Sequence, residues 1–327
     1  MQYRKFGRTG WQVSDIGYGM WGMGGWTGSD DEESLKSLQR SVDLGCNFFD
    51  TAWVYGNGHS EHLLGELLRA NPGKKLFTAT KVPPKNMQYP TAPEYTLDEC
   101  YPPDHIEEFL HKSLKNAGVE SFDLLQIHTW QDAWTTDDRW SDMLDDLKRQ
   151  GLINACGISI NRWEPWNGVK AVRSGKIDSV QVVYNIFDQN PEDELFPACH
   201  EMDVAVIARV PFDEGSLTGT MTVDTTFPEG DFRGVYFAPE KLGPIIEHVE
   251  ALRPLVPANS TMPEITLRHI LSHPAVSTII PGMRKLNHVE ANIAASDLGG
   301  LSAELIEQLK AHRWVRKSAP ARIEDLV

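Results

Sequence analysis

Eight short apolar runs, each separated from the next by a stretch of helical periodicity, constrain this chain more than any other feature. The runs end at Gly19, Asp50, Val82, Ile127, Ile158, Tyr184, Ala208 and Ile280. Between them, apolar residues recur at three and four positions: Leu35, Leu38 and Val42, with Asp30 and Asp31 placed to start that helix; Leu63, Leu64, Leu67 and Leu68; then Ile106, Phe109, Leu110 and Leu114. Further helices are predicted over 137–150, 164–174, 191–202, 263–272, 286–295 and 302–313. Such alternation demands parallel strands joined by crossover helices. Eight units in 327 residues favour a closed (β/α)8 barrel over an open sheet. Residues 1–15 read as a β-hairpin turning at Thr9-Gly10. Segments 83–103 and 211–238 lack periodicity and read as functional loops. No Pro- or Ser-rich linker divides the chain, so 1–327 is expected to be one domain.

The net charge of −15 argues against nonspecific nucleic-acid or anionic-membrane binding. No run approaches membrane-spanning length, and the N-terminus lacks the apolar stretch of a signal peptide. Cys46, Cys100, Cys156 and Cys199 are widely spaced, without a C-x-x-C, so neither a disulfide framework nor a zinc ribbon is indicated. A cytoplasmic protein in a reducing compartment is expected; the sequence does not specify its oligomeric state.

The chemistry gathers at strand ends. Phe48-Phe49-Asp50 spills into a loop carrying Tyr55-Gly56, the run Phe77–Val82 contains Lys81, and Leu124–Ile127 runs into His128. In a (β/α)8 barrel the C-terminal ends of all strands converge on one face, so Asp50, Tyr55, Lys81 and His128 meet there. A neighbouring ammonium favours a phenolate and is expected to lower the Tyr55 pKa. Asp50 holds that ammonium, and His128 orients a carbonyl oxygen. Trp21, Trp53 and Trp130, with Tyr89, Tyr95 or Tyr101, read as walls of an apolar substrate pocket that suits sugars and aromatic carbonyls alike, the alternative being plain packing.

Other motifs carry less. Gly17-Tyr18-Gly19-Met20-Trp21-Gly22 matches the dinucleotide-binding glycine pattern, but Gly24, Gly25 and Gly28 continue a loop where that motif opens a helix. His59/His62 and His269/His273 share helix faces without completing a metal set, and read as solvated helical histidines; no metal is expected.

At these residues the sequence closely resembles the aldo-keto reductase superfamily. The likeness runs through Tyr3–Gly10, Asp50-Thr51-Ala52 with Tyr55-Gly56, Glu61, Gly65, Thr80-Lys81, Leu125–His128, Gly157-Ile158-Ser159, Ile280–Arg284 and Asn292. The resemblance implies a barrel that binds NAD(P)H at its C-terminal face and reduces a small-molecule carbonyl. By it, Tyr55 is the general acid, Lys81 its partner, Asp50 the support of Lys81, and His128 the carbonyl orienter. Gly19, Met20 and Trp21 would contact the cofactor beside Asp50, while Ser159 and Gln181 would hold its carboxamide. Loop 211–220, with Pro211, Phe212, Gly215, Leu217 and Gly219, would cover the pyrophosphate; Gly282, Arg284, His288 and Asn292 would line the adenosine end. Arg284 favours NADPH, with NADH as the alternative. The chain departs from the pattern at four places. Ile160 follows Ser159 where relatives have Asn, with Asn161 as a substitute donor. Arg209 replaces an aromatic that stacks on the nicotinamide, where its planar guanidinium would stack instead as a cofactor contact. Thr220 replaces a loop Lys, with Asp213 and Glu214 nearby to weaken pyrophosphate contact. Ala291 replaces a Glu.

Overall fold

A computed structural model of the protein describes residues 1–25, 28–316 and 321–322. Twelve strands are present among them. They are β1 Tyr3–Phe6, β2 Trp11–Ser14, β3 Tyr18–Gly19, β4 Phe48–Asp50, β5 Phe77–Val82, β6 Gln88–Tyr89, β7 Phe122–Ile127, β8 Ile153–Ser159, β9 Ser179–Val183, β10 Ala205–Arg209, β11 Val276–Ile279 and β12 Ala321–Arg322. Eight form one sheet in the order β3-β4-β5-β7-β8-β9-β10-β11, every pair parallel. Parallel bridges Ile16↔Ile279 and Gly19↔Gly282 bring the two edges together, with the Gly17 and Gly19 amides donating to the Ile279 and Pro281 carbonyls at 2.8 and 3.0 Å. A Cβ on Gly19 would lie 2.5 Å from the Ile280 carbonyl oxygen, so only glycine permits that seam. The (β/α)8 barrel expected from the alternation is the architecture observed.

Side chains alternate across each strand, so one set faces the barrel interior and the other the helices. Phe49, Leu125, Ile127, Ile158, Val180 and Val206 pack outward against helical residues such as Leu38, Leu64, Leu110, Leu144 and Ile270. Phe48, Phe77, Ala79, Leu124, Ala155, Ala205 and Ile207 pack inward with Phe6 and Val13. The β1–β2 hairpin therefore plugs the N-terminal end of the barrel and contributes two side chains to its core. Burying such a side chain stabilises the fold by about 1.5–3 kcal/mol.

The connections hold more structure than their composition suggested. Segment 83–103 contains β6, which pairs with β12, and a helical turn Leu97–Cys100 closed by a Thr96/Glu99 capping box. Segment 211–238 contains a 3-10 turn, Asp213–Thr218, and a helix, Phe232–Tyr236. Conversely, the helix expected over 164–174 shrinks to Val169–Arg173. Pro165 disfavours helix at the residue before it, and Asn167 instead donates to the Trp130 carbonyl and the Gln131 side chain. The helix expected over 191–202 is split into a 3-10 turn, Asn190–Glu192, and Leu195–Glu201. Among the described residues no helix is long and apolar enough to cross a membrane.

Candidate active site

The inward parity of the strands changes character at the C-terminal end. Apolar residues give way to Asp50 on β4, Lys81 on β5, Gln126 on β7, Ser159 on β8, Gln181 on β9 and Arg209 on β10. Each lies two or four residues beyond an inward apolar or small neighbour, as period two requires. The mouth of the barrel is thus polar because six strands place a polar residue at the same level.

Asp50 and Lys81 form a fully buried ion pair. Lys81 Nζ also donates to the Thr51 carbonyl at 2.8 Å and reaches the Tyr55 hydroxyl at 3.4 Å. The second Asp50 oxygen accepts from Gln126 Nε2 at 2.9 Å and Gln181 Nε2 at 2.8 Å. One carboxylate therefore ties side chains from three further strands. Tyr55 sits in the turn before helix His59–Ala70, its amide donating to Ala52 and its carbonyl accepting from Ser60. Gly56 fixes that turn: its φ is 68°, and a Cβ there would lie 2.2 Å from the Gly24 carbonyl oxygen. The His128 ring stands edge-on to Tyr55 at 5.9 Å and to Tyr89 at 5.2 Å, with the Tyr89 hydroxyl 3.5 Å from His128 Nδ1.

Electrostatics correct one expectation. Lys81 does favour the Tyr55 phenolate, but burial outweighs it and holds the Tyr55 pKa above its ordinary value. Tyr55 consequently keeps its proton through the neutral range. Burial, then the charges of Lys81 and Arg209, push His128 well below the usual imidazole range, so it is neutral. A neutral imidazole offers one N–H and one acceptor.

The remaining predicted positions fall into place unevenly. Gln181 donates to Asp50 and to Gln126 Oε1 at 3.2 Å, so among the described residues only its own Oε1 stays open. Asn161 is committed to the Thr91 carbonyl and Glu164, which removes it as a substitute donor into the site. Asp213, Glu214 and Gly215 have successive φ of 47°, 55° and 113°. Such backbone persists only where its surroundings overdetermine it. Here Asp213 is buried and takes bonds from Arg316 (2.8 Å), Tyr236 (2.6 Å) and Ser216 (2.7 Å), while Glu214 pairs with Arg162 at 2.5 Å. The two acids expected to repel a pyrophosphate are therefore both neutralised by arginines. Pro211 and Leu217 are buried and Phe212 half-buried around this turn, which Gly219 closes. Arg284 lays its stem against Gly22 and makes no ion pair among the described residues. His288 and Gly282 are exposed, and Asn292 is buried. Gly19 and Met20 line the barrel seam, and Trp21 is 40% exposed, its ring edge-on to Phe232 at 6.2 Å.

Comparison with known proteins follows this geometry. The model of the aldo/keto reductase family matches residues 15–313. The chain belongs to the aldo/keto reductase family. It is 27% identical to the NADH-specific methylglyoxal reductase of Escherichia coli (strain K12), covering 89% of this chain and 92% of that protein. It is 30% identical to an aldo-keto reductase of Schizosaccharomyces pombe (strain 972 / ATCC 24843), yakc, whose name carries NADP(+), covering 89% and 86%. The solved glycerol dehydrogenase of Gluconobacter oxydans superposes with a TM-score of 0.77 at 26% identity, over 95% of this chain and 94% of that one. NAD(P)H-dependent carbonyl reduction is the general chemistry of aldo/keto reductases.

In this aldo/keto reductase, two of the expected substrate walls, Trp130 and Tyr101, are core, and Trp53 is half-buried. Trp130 is fully buried, donates to Asp132 at 2.9 Å and packs edge-on against Trp134 and Trp140. It is part of the core, with no exposed surface. Trp53 leans on Phe109 of helix Pro103–Ala117 at 4.8 Å. Tyr101 is likewise buried, its hydroxyl bonded to Thr129. Trp21, Trp53, Tyr89 and Tyr95 keep exposed surface. The metal alternative also changes: His269 is buried rather than solvated, and neither of its ring nitrogens has a hydrogen-bond partner among the described residues. His59 and His62 pair with Asp31 and Glu66. The sequence reading assigned no role to Gln126 and missed Arg162 and Arg316; a glutamine at an inward position of a buried strand was the available signal for the first.

Proposed function

We propose that this chain is a single-domain enzyme that reduces an aldehyde or ketone to an alcohol with NADPH as donor, Tyr55 serving as general acid. The observation that carries the reading is the chain of contacts Asp50–Lys81–Tyr55, buried at the barrel mouth beside a neutral His128. A bound nicotinamide supplies the hydride. The neutral His128 carries one N–H, which holds the carbonyl oxygen in place; the Tyr89 hydroxyl lies 3.5 Å from its Nδ1. Tyr55 gives its proton as negative charge develops on that oxygen, and Lys81 stabilises the phenolate left behind. Asp50 pairs with Lys81 and keeps it aimed at Tyr55, itself fixed by two glutamines. Initial rates of NADPH oxidation with a panel of aldehydes, ketones and keto-sugars test the reading; NADPH binding without turnover on any of them would count against it.

The residues suit a dinucleotide at three places. Gln181 Oε1 and the neighbouring Ser159 can meet a carboxamide. At 213–215 the Asp213 and Gly215 amides already donate to the Val210 and Phe212 carbonyls at 3.1 and 2.9 Å, so among the described residues the Glu214 amide is the one of the three left for a phosphate. Arg284, which makes no ion pair among the described residues and lies beside exposed Lys285 and His288, offers a bidentate partner for a 2′-phosphate. Similar proteins are named for NADH and for NADP(+), so the choice rests on Arg284 itself. Arg284→Ala is expected to raise the KM for NADPH about 10- to 100-fold, the worth of a charge-assisted bond, while changing the KM for NADH little. Equal changes for both cofactors would return the assignment to NADH.

A further inference from the structure

We infer that Gln126 is a positioning residue of the reduction, holding the Gln181 amide so that Gln181 meets the cofactor only as a hydrogen-bond acceptor. The barrel mouth then favours a pyridine ring whose side group carries an N–H. The inference rests on the reading of this mouth as a nicotinamide site and adds a residue that acts through another. Gln126 on β7 and Gln181 on β9 are both buried. β8 lies between those strands and places Gly157 in register with Gln126. With no side chain at 157, the two glutamines meet across β8, Gln181 Nε2 donating to Gln126 Oε1 at 3.2 Å. A Cβ at 157 would lie 2.2 Å from Ser179 Oγ, so only glycine leaves that path clear.

The orientation follows from the donors and acceptors present. An ionised carboxylate accepts hydrogen bonds and donates none. Asp50 Oδ2 lies 2.9 Å from Gln126 Nε2 and 2.8 Å from Gln181 Nε2, so the nitrogen end of each amide faces it. Gln181 Nε2 has two N–H groups: one goes to Asp50, the other to Gln126 Oε1. Both are taken. Gln181 keeps only Oε1, which receives no hydrogen bond among the described residues. A carboxamide has an NH2 to donate and a carbonyl to accept. Its NH2 suits Gln181 Oε1, and the hydroxyl of Ser159, in register with Gln181 between β8 and β9, suits its carbonyl. Without Gln126, the second N–H of Gln181 loses its acceptor and is free to turn toward the mouth. Gln181 then donates as readily as it accepts, and discrimination against a ring lacking the NH2 fades. The same bonds tie Gln181 to the carboxylate that pairs with Lys81. Carboxamide recognition and support of the proton donor thus share one buried network, which stays rigid while every member is satisfied.

The test uses NAD(+) and NADP(+), each beside its 3-acetylpyridine analogue, in which a methyl group replaces the carboxamide NH2 and the carbonyl stays. Calorimetric binding is measured for the wild type, Gln126→Met and Gln126→Glu, with carbonyl turnover read separately. The wild type is expected to bind the carboxamide about 10- to 100-fold more tightly than the analogue. Gln126→Met should shrink that ratio about 10-fold, whereas a packing defect weakens both ligands alike and leaves the ratio unchanged. Gln126→Glu supplies the same donor and acceptor only while its carboxyl is protonated, so its ratio should approach that of the wild type in acid and fall in alkali. That variant decides the matter if Gln126→Met does not fold. A wild type that binds neither dinucleotide, or binds carboxamide and analogue alike, overturns the inference. So does a ratio unaltered in Gln126→Met and level with pH in Gln126→Glu. A ratio that shrinks in a protein turning over no carbonyl would sustain the inference and discard the catalytic role of Tyr55.

Discussion

Replacing Tyr55 by Phe is expected to lower kcat for carbonyl reduction about 100- to 10,000-fold, the range for loss of a positioned general acid. The ring is retained, so its edge-on packing against His128 and the turn held by Gly56 survive. What disappears is the one proton within reach of Lys81. The pH profile separates this from a packing defect. Burial keeps the wild-type phenol above its ordinary pKa of about 10, so its turnover should stay level through neutrality and fall only in strong alkali. The variant should lack that alkaline limb. A Phe variant turning over at the wild-type rate would remove Tyr55 from the reaction.

Acid unfolding should depend on His269, which no catalytic argument uses. Its imidazole is buried in helix Met262–Leu271, with both nitrogens unpartnered among the described residues, facing His273 and Tyr184. Burial, and secondarily His273, lower its pKa to about 4. The unfolded chain binds that proton near pH 6.5, so between pH 6.5 and pH 4 the unfolded state holds more protons than the native one. Stability therefore falls as pH drops through this window, by about 3 kcal/mol for this group alone. His269→Leu should unfold no earlier than the wild type at pH 7 and clearly later at pH 4.5, as thermal melts at both values would reveal. A difference between the two proteins that does not widen on acidification would mean that His269 is solvated.

The frame was legible because it rests on two periodicities. Helical spacing marked the outer layer, and the count of apolar runs marked a barrel. Strand-end residues were legible for the same reason: Asp50, Lys81 and His128 close inward-facing runs whose parity is fixed by the sheet. Gln126 was legible in principle, since it lies on that same parity beside His128 in sequence. The capping box Thr96/Glu99 also carries a sequence signature. Trp130 was not legible, because a tryptophan after a strand end reads alike as pocket wall or core until its neighbours Trp134 and Trp140 are placed. Nor was the neutralisation of Asp213 and Glu214. Local sequence shows two acids in a loop, and only the tertiary fold brings Arg162 and Arg316 to them.

Arg316 bears on how the chain is made. It bonds Asp188, 128 residues earlier, and also Asp213 at the strained turn. Both carboxylates are buried, and burial is strong enough to raise the Asp188 pKa to about 6 even with the arginine in place. A ribosome releases the barrel strands, Asp188 and Asp213 well before Arg316 leaves the exit tunnel. During that interval the two acids lack the Arg316 counterion and gain by staying in water. The turn at the barrel mouth thus depends on a side chain supplied by a much later part of the chain.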